Sequence, residues 1–195
     1  KNFLKIMFCI KKTNMPRGWK KINSKLVYSN PWIKIHEDTV FRPDGKEGIY
    51  AFLEKPAGNF IIALDKDDSI YFINEYRYPL QKNILQLPAG VIDVDDILGQ
   101  AKKELIEETG IIAKKWKNIG GYYVAPGHET TYINVFLATE LNLNGLKTGN
   151  QENNEAIQEV IKVGELELKQ MILDGKIECG LTLAALNLFF LKYKN

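Results

Sequence analysis

Three glutamates stand close together in the segment KKELIEETG, residues 102–110. On a helix of 3.6 residues per turn, Glu104, Glu107 and Glu108 fall within an arc of about 100°, because separations of three and four residues bring side chains onto one face. They lie in the last two turns, where a negative charge faces the negative end of the helix dipole at a cost of about 0.3–1 kcal/mol. A solvated acidic face is one interpretation, but the spacing indicates that something rewards this placement.

These glutamates have the chemistry of a metal site. Carboxylates this close raise one another's pKa unless a cation is shared between them. Because the group contains oxygen donors and neither His nor Cys, it favours magnesium, with manganese as the alternative, over structural zinc. Magnesium typically takes one or two carboxylates and keeps positions for water and substrate phosphates. The pattern therefore predicts a magnesium-dependent site for a phosphate-bearing substrate.

The elements that position the glutamates follow from the hydrophobic pattern. A helix from about 96 to 109 ends at Gly110, and Leu98, Ala101 and Leu105 form the apolar arc that packs on a sheet. Strands are predicted in FIIALDKDDSIYFINEYRY before this helix and in NIGGYYVAP and TYINVFLATEL after it, followed by helices in ELELKQMILDG and LTLAALNLFFLKYK. This order predicts an α/β/α sandwich with a mixed central sheet.

A second region precedes the sandwich. KLVYSNPWIKIHEDTVF and GIYAFLEK alternate apolar and polar residues around a Pro-Asp-Gly turn at 43–45, which is typical of antiparallel hairpins. We therefore divide the chain into an N-terminal extension at 1–18, a small antiparallel sheet at 19–57 and an α/β (α+β) domain at 58–195.

Composition excludes several classes of partner. The 195 residues carry 26 basic and 24 acidic side chains spread along the chain, and the net charge of +2 gives no reason to expect nucleic acid. No apolar run approaches the roughly 20 residues of a membrane span, so no membrane partner is expected. Cys9 and Cys179 fit no ligand or redox spacing and are interpreted as reduced thiols of a cytoplasmic protein.

The segment from Gly90 to Ile111, GVIDVDDILGQAKKELIEETGI, resembles the Nudix box, G-x5-E-x7-R-E-U-x-E-E-x-G-U, where U is aliphatic. The three glutamates, Gly110 and Ile111 stand where the motif requires them. Lys103 replaces the arginine of the motif, which loses a bidentate guanidinium fork. The first half is one residue shorter than the pattern, and its best register puts Asp95 in place of the first glutamate.

The resemblance extends over most of residues 19–193. The chain resembles the ADP-ribose pyrophosphatase branch of the Nudix hydrolases in five segments: EYRYP, LPAG, NPWIKIHED, the PG loop before VFLATEL, and DGKIECGLTLAAL. This branch implies the sandwich fold, an N-terminal sheet used in a homodimer, and metal-dependent hydrolysis of ADP-ribose, a small-molecule nucleoside diphosphate sugar, to AMP and ribose 5-phosphate.

The resemblance also implies roles for individual residues. The carbonyl of Ala89 and the carboxylates of Glu104 and Glu108 would bind metal, with Glu107 completing the cluster. Arg77 matches an arginine that reaches the substrate phosphates, and a purely structural salt bridge is the alternative. Lys103 is a further candidate for substrate binding. Many relatives carry Glu where this chain has Gln86, so the usual carboxylate partner of the arginine is expected to be missing.

A catalytic base is expected in QENNEAIQEV, because relatives hold one on an acidic loop before the last strand. Glu155 is the best match to a loop glutamate that contacts metal, and Glu152 is the alternative base. Asn153 stands at a position that is often acidic in relatives. A solvated loop is the competing interpretation for both glutamates.

Two further pairs of side chains have both a functional and a structural interpretation. His128 and Glu129 follow a turn that is expected at the cleft edge, where an imidazole suits acid–base work, but a surface imidazole is the favoured interpretation. Trp32 and Tyr28 are candidates for stacking on the nucleobase, and packing in the core or a dimer is the alternative.

Three functions remain open from the sequence. The first is hydrolysis of ADP-ribose or a related nucleoside diphosphate sugar. The second is the same chemistry on another nucleoside diphosphate derivative, because the box specifies only the diphosphate. The third is a Nudix-fold module that binds a nucleotide without cutting it, which the shorter loop, Lys103, Gln86 and Asn153 favour and the complete set of glutamates opposes.

Overall fold

The computed structural model describes residues 18–93, 95–147 and 156–193. The chain divides into two compact units, Lys1–Leu53 and Glu54–Asn195. No helix in the described part of the chain is long and apolar enough to cross a membrane.

The first unit contains a three-stranded sheet in the order β1-β2-β3. Its strands are β1 (Lys20–Ser29), β2 (Lys34–Phe41) and β3 (Glu47–Glu54), the last of which ends one residue into the second unit. Asn30 separates β1 from β2 because its side-chain oxygen accepts hydrogen bonds from the backbone of Trp32 and Ile33. All ten residues of β1 are exposed.

The second unit is built on a seven-stranded mixed sheet. Five strands follow the order β10-β5-β4-β9-β8, β6 pairs with β5, and β7 pairs with β4. The strands are β4 (Gly58–Leu64), β5 (Ile70–Arg77), β6 (Lys82–Gln86), β7 (Ala89–Val91), β8 (Ile112–Tyr123), β9 (Tyr132–Asn142) and β10 (Ile157–Val163). A 3-10 helix, Tyr78–Leu80, joins β5 to β6. The β4–β9 pair is parallel, whereas the other pairs of this sheet are antiparallel.

Helices cover both faces of this sheet, as the pattern predicts. α1 (Ile97–Thr109) packs over one cluster that includes Ile61, Tyr71 and Leu105, and α3 (Gly180–Tyr193) over another that includes Phe72 and Phe189. Helix α2 (Glu165–Leu173) contributes Leu168 to the second cluster. Because β4 and β5 send alternate side chains into the two clusters, their apolar runs are buried on both sides. The α/β/α sandwich with a mixed sheet is confirmed.

Sequence signals located the helix ends. Asp96 caps α1 by accepting a hydrogen bond from the Gly99 N–H at 2.8 Å. Gly110 ends α1 with φ 73°, and Gly175 follows α2 with φ 70°, conformations that suit glycine. The predicted helix over 96–109 is therefore observed with its boundary shifted by one residue.

Candidate active site

The candidate site forms where β7 joins α1. Residues Gly58–Phe60 of β4 pair with Ala89–Val91 of β7, and the Ile61 N–H donates to the Pro88 carbonyl at 2.9 Å. This pairing attaches the peptide at Ala89 to the centre of the sheet. The helix begins only a few residues later, so its side chains return over the same strand.

Glu104 packs directly on Gly90. A Cβ atom built on Gly90 would lie only 2.1 Å from Glu104 Cδ, so any larger residue would displace the carboxylate. Gln100, one turn earlier on α1, donates from Nε2 to Glu104 Oε1 at 2.7 Å. The glycine of the motif therefore provides the space that Glu104 occupies against the strand.

Glu108 is the most buried of the three glutamates, with 4% of its surface exposed. Its Oε2 accepts a hydrogen bond from the Ala89 N–H at 2.9 Å. A charged acceptor strengthens such a bond. The structure thus brings together Glu108 and the peptide of Ala89, two groups that the sequence proposes as metal ligands.

Glu107 lies at the outer edge of the cluster. Its side chain is 31% exposed, and Lys103 Nζ lies 3.5 Å from its Oε1. The adjacent Glu107 carboxylate raises the pKa of Lys103 above its usual value. Lys103 is 61% exposed, so this pair contributes little to stability. Lys103 contacts a candidate catalytic carboxylate, and its assignment as a substrate contact stays a prediction.

The end of α1 is stabilised by the loop that follows β9. Lys147 donates from Nζ to the Glu107 carbonyl at 2.7 Å and from its backbone N–H to the Thr109 carbonyl at 2.9 Å. A cation at a helix C-terminus interacts favourably with the dipole. Gly110 packs closely on Gly145, since an added Cβ would lie 1.7 Å from its carbonyl oxygen. These contacts offset part of the unfavourable placement of the glutamates.

The donor set fits a hard cation that is bound together with a phosphate. Glu104, Glu108 and the Ala89 peptide supply oxygen atoms, which are the donors that magnesium prefers. Across residues 18–93, 95–147 and 156–193, no three His, Cys, Asp or Glu side chains form a group that could by itself hold an ion. Magnesium does not require such a cage, because it takes one or two carboxylates and completes its shell with water and substrate oxygens.

Arg77 has a carboxylate partner other than the usual one. Position 86 carries Gln86 instead of the glutamate of relatives, and the salt bridge that was the alternative interpretation of Arg77 forms with another residue. Glu75, two residues earlier on β5, places its Oε2 2.9 Å from Arg77 Nη2. Alternate residues of a strand share a face, so the motif EYR itself contains the acidic partner.

Asn59 is a site residue that the sequence analysis did not identify. It is fully buried, pairs with Gly90 between β4 and β7, and donates from Nδ2 to the Ile97 carbonyl at 3.0 Å. Its Oδ1 is one of the buried side-chain atoms without a hydrogen-bond partner in the described part of the chain. The available signal was a polar amide inside the apolar strand GNFIIAL.

Within the described part of the second unit, no stated hydrogen bond or ion pair ties His128 or Glu129 to this site. His128 is exposed, and Glu129 accepts a hydrogen bond from Thr131 Oγ1 at 2.8 Å. Trp32 and Tyr28 lie in the first unit and are 74% and 51% exposed. Glu152, Asn153 and Glu155 lie outside the described residues, so their predicted roles stay predictions.

Comparison with known proteins gives consistent relatives. The nucleoside diphosphate sugar hydrolase N-terminal domain family matches residues 19–53. An ADP-ribose pyrophosphatase of Bacillus subtilis (strain 168) is 29% identical over 145 residues, covering 74% of this chain and 77% of the relative. A GDP-mannose pyrophosphatase of Yersinia enterocolitica is 26% identical over 178 residues, covering 86% and 92%. A crystal structure of an ADP compounds hydrolase superposes with a TM-score of 0.78 at 18% identity, covering 91% of this chain and 95% of that one.

Proposed function

Because the chain belongs to the ADP-ribose pyrophosphatase-like Nudix hydrolases, we propose that it hydrolyses the diphosphate bond of ADP-ribose or a related nucleoside diphosphate sugar. The products are AMP, or the matching nucleoside monophosphate, and a sugar phosphate. The single observation that carries this proposal is the placement of Glu104 against Gly90 and of Glu108 on the Ala89 N–H.

Glu104, Glu108 and the carbonyl of Ala89 would hold magnesium, and manganese could replace it. When bound, the metal supplies positive charge that neutralises the diphosphate, and it lowers the pKa of water. The buried carboxylate of Glu108 is held by a backbone N–H, so it keeps its orientation while substrate enters. Glu107 completes the cluster, and Lys103 lies beside it at 3.5 Å.

The negatively charged diphosphate of the substrate also needs a cationic side chain from the protein. Arg77 fits this role because a guanidinium presents several N–H donors in one plane to phosphate oxygens. Attack of water in line with the leaving oxygen also requires a base. Glu155 is our first candidate for this role and Glu152 the second, while Glu107 and Glu108 remain alternatives within the described cluster.

A panel of substrates tests the proposal. Purified protein with magnesium is offered ADP-ribose, GDP-mannose and other nucleoside diphosphate derivatives, and the products are separated by chromatography. We expect ADP-ribose to be cleaved to AMP and ribose 5-phosphate. If ADP-ribose is cleaved much more slowly than another nucleotide, that nucleotide replaces it as the proposed substrate. The similarity to a GDP-mannose pyrophosphatase favours this second candidate function.

A nucleotide-binding module without catalysis is the third possibility. Calorimetric binding of ADP-ribose without release of AMP, at any divalent metal concentration, would favour this module over an enzyme. A folded Glu108→Gln variant that loses turnover while the wild type retains it would exclude the module.

The three-stranded sheet of the first unit is our proposed dimer surface. Its large exposed apolar side chains include Trp19, Ile22, Leu26, Val27, Tyr28, Trp32 and Ile49. Apolar patches of this kind are typical of interaction sites.

Equilibrium sedimentation should give a homodimer, and Leu26→Asp should shift it toward the monomer. A wild-type monomer at all concentrations would contradict this assembly. Tyr28 and Trp32 are proposed either to stack on the base or to pack in this interface.

A cytoplasmic location remains part of the proposal. It rests on the sequence, in which Cys9 and Cys179 fit no ligand or redox spacing. The expected partner is a small nucleotide sugar, and neither nucleic acid nor a membrane is expected as a partner.

A further inference from the structure

Three polar side chains form a closed ring at the end of β5 and β6. Arg77 donates from Nε to Gln86 Oε1 at 3.1 Å, and Gln86 donates from Nε2 to Glu75 Oε2 at 3.1 Å. The same Glu75 oxygen lies 2.9 Å from Arg77 Nη2, which closes the ring. Gln86 is 3% exposed, whereas the side chain of Arg77 is 41% exposed. The guanidinium is thus held by a buried amide and a carboxylate while its far end reaches the surface.

The ring lies on the face of the sheet that α1 covers. Tyr71 belongs to the apolar cluster beneath α1, and strand side chains alternate, so Glu75 and Arg77 share that face. Leu87 belongs to the cluster on the opposite side, so its neighbour Gln86 also points toward the α1 side. Arg77 and the glutamates of α1 are therefore presented on the same side of the sheet.

The ring uses one edge of the guanidinium. Nε–H and the adjacent Nη2–H face Gln86 and Glu75. The other edge carries Nη1–H donors and the second Nη2–H, in the same plane. A guanidinium that is held by two partners loses less side-chain entropy when an anion binds, which improves affinity through pre-organisation.

We propose that Gln86 and Glu75 are positioning residues that fix the plane of Arg77 and direct its open edge toward the diphosphate; this assignment rests on the proposed function of the site. Gln86 is suited to the position because its amide both accepts from Arg77 and donates to Glu75. A glutamate at 86 could accept but, when ionised, could not donate. It would also face Glu75 as a second carboxylate and make the formally neutral ring negative.

A double-mutant cycle tests this assignment. The variants are Gln86→Leu, Arg77→Ala and the double variant, and the readouts are the Kd for ADP-ribose in EDTA, where no turnover occurs, and KM and kcat with magnesium. We expect Arg77→Ala to weaken binding about 10- to 100-fold and Gln86→Leu about 3- to 10-fold, with kcat nearly constant. In the Arg77→Ala background, the Gln86→Leu change should cost less than about twofold, because Gln86 acts through Arg77.

Rescue and spectroscopy separate positioning from general stability. Gln86→Glu should weaken binding more than Gln86→Leu if the charge of the ring matters, while Glu75→Asp should retain more affinity than Glu75→Gln. In 15N-edited NMR spectra, the Arg77 Nε–Hε signal should be protected from exchange in the wild type and lost in Gln86→Leu. Thermal melting confirms that each variant is folded under the assay conditions.

The possible outcomes distinguish this inference from the proposed function. If ADP-ribose binds in an Arg77-dependent way with the expected coupling but is not hydrolysed, the positioning role of Gln86 is supported and the enzymatic function is rejected. Hydrolysis of ADP-ribose combined with fully additive effects of the two substitutions would reject the ring and leave the function intact. Persistence of the Hε signal in Gln86→Leu, or no binding of ADP-ribose in EDTA, would also overturn the inference.

Discussion

Two groups of acidic side chains lie toward opposite ends of the central sheet, and they differ in their partners. At the end of β4 that leads into the β4–β5 loop, Asp65 and Asp67 are bridged by Lys162 Nζ at 2.7 and 2.8 Å. At the other end, Glu104 and Glu108 accept hydrogen bonds from an amide side chain and a backbone N–H. A group of acidic residues can thus be a structural ion-pair network or a metal site, and the partners of the carboxylates help to distinguish these two interpretations.

The aspartate group is a structural clamp. Lys162 on β10 holds the turn between β4 and β5, and the Tyr71 hydroxyl adds a hydrogen bond to Asp65 at 3.2 Å. The hydrogen bond from Lys162 lowers the pKa of both aspartates. In the glutamate group, Gln100 and the Ala89 N–H are neutral donors, and the one lysine with a stated ion pair to this group, Lys103, lies at its outer edge. No lysine bridge comparable to that of Lys162 is observed there among the described contacts, and the role proposed for this group is metal binding.

The largest expected effect separates the two groups directly. Glu108→Gln should reduce kcat by about 10³-fold or more, because the substitution removes a charge from the proposed metal site while retaining an oxygen that can accept from Ala89. Steady-state kinetics with magnesium measure this loss. Asp67→Asn is the matched control and should leave kcat within about twofold. Equal losses in the two variants would remove the distinction between the groups.

The second effect concerns the space that the glutamate group requires. Gly90→Ala should lower turnover about 10- to 100-fold and weaken the apparent affinity for magnesium, because the new methyl group would occupy the position of Glu104 Cδ. Gly127→Ala is the control, since no atom lies within 4 Å of an added Cβ there. It should stay within about 0.5 kcal/mol of the wild type in unfolding free energy. A fully active Gly90→Ala enzyme would contradict the proposed placement of Glu104.

A smaller effect is expected at the outer edge of the cluster. Glu107→Gln should lower kcat about tenfold, less than Glu108→Gln, because the Glu107 side chain is 31% exposed and its electrostatic influence is screened by water. The comparison requires magnesium titrations of both variants under identical conditions. A larger loss at Glu107 than at Glu108 would assign the dominant role to the exposed carboxylate.

The smallest effect should be on stability alone. Lys162→Met should lower Tm by about 2–4 °C at pH 7, without a change in kcat, because it removes the clamp. The folded-state pKa of Asp65 is lowered from 3.8, so its stabilisation is complete above the unfolded-state pKa and is lost as the pH falls through the folded value. The Tm difference between the variant and the wild type should therefore narrow below about pH 3.8 in calorimetric scans. A difference that widens on acidification would contradict the clamp.

The acidic face of α1, its cap at Gly110 and the order of elements were predictable because they depend on residues within a few positions of each other. A 3.6-residue period places Glu104, Glu107 and Glu108 together in any helix, and glycine permits a positive φ at a helix end whatever surrounds it. The same local rules anticipated the apolar strands β4 and β5. They could not show what the glutamates contact.

Those contacts depend on how distant segments are brought together. Asn59 reaches Ile97 across 38 positions, and Lys147 reaches Glu107 across 40, through a strand register and a loop path that local patterns do not encode. The partners of Arg77 are a third case, because only the pleat of β5 and its pairing with β6 bring Glu75 and Gln86 together with it. Local geometry thus placed the charges on one helix face, whereas long-range packing determined their partners and therefore their chemistry.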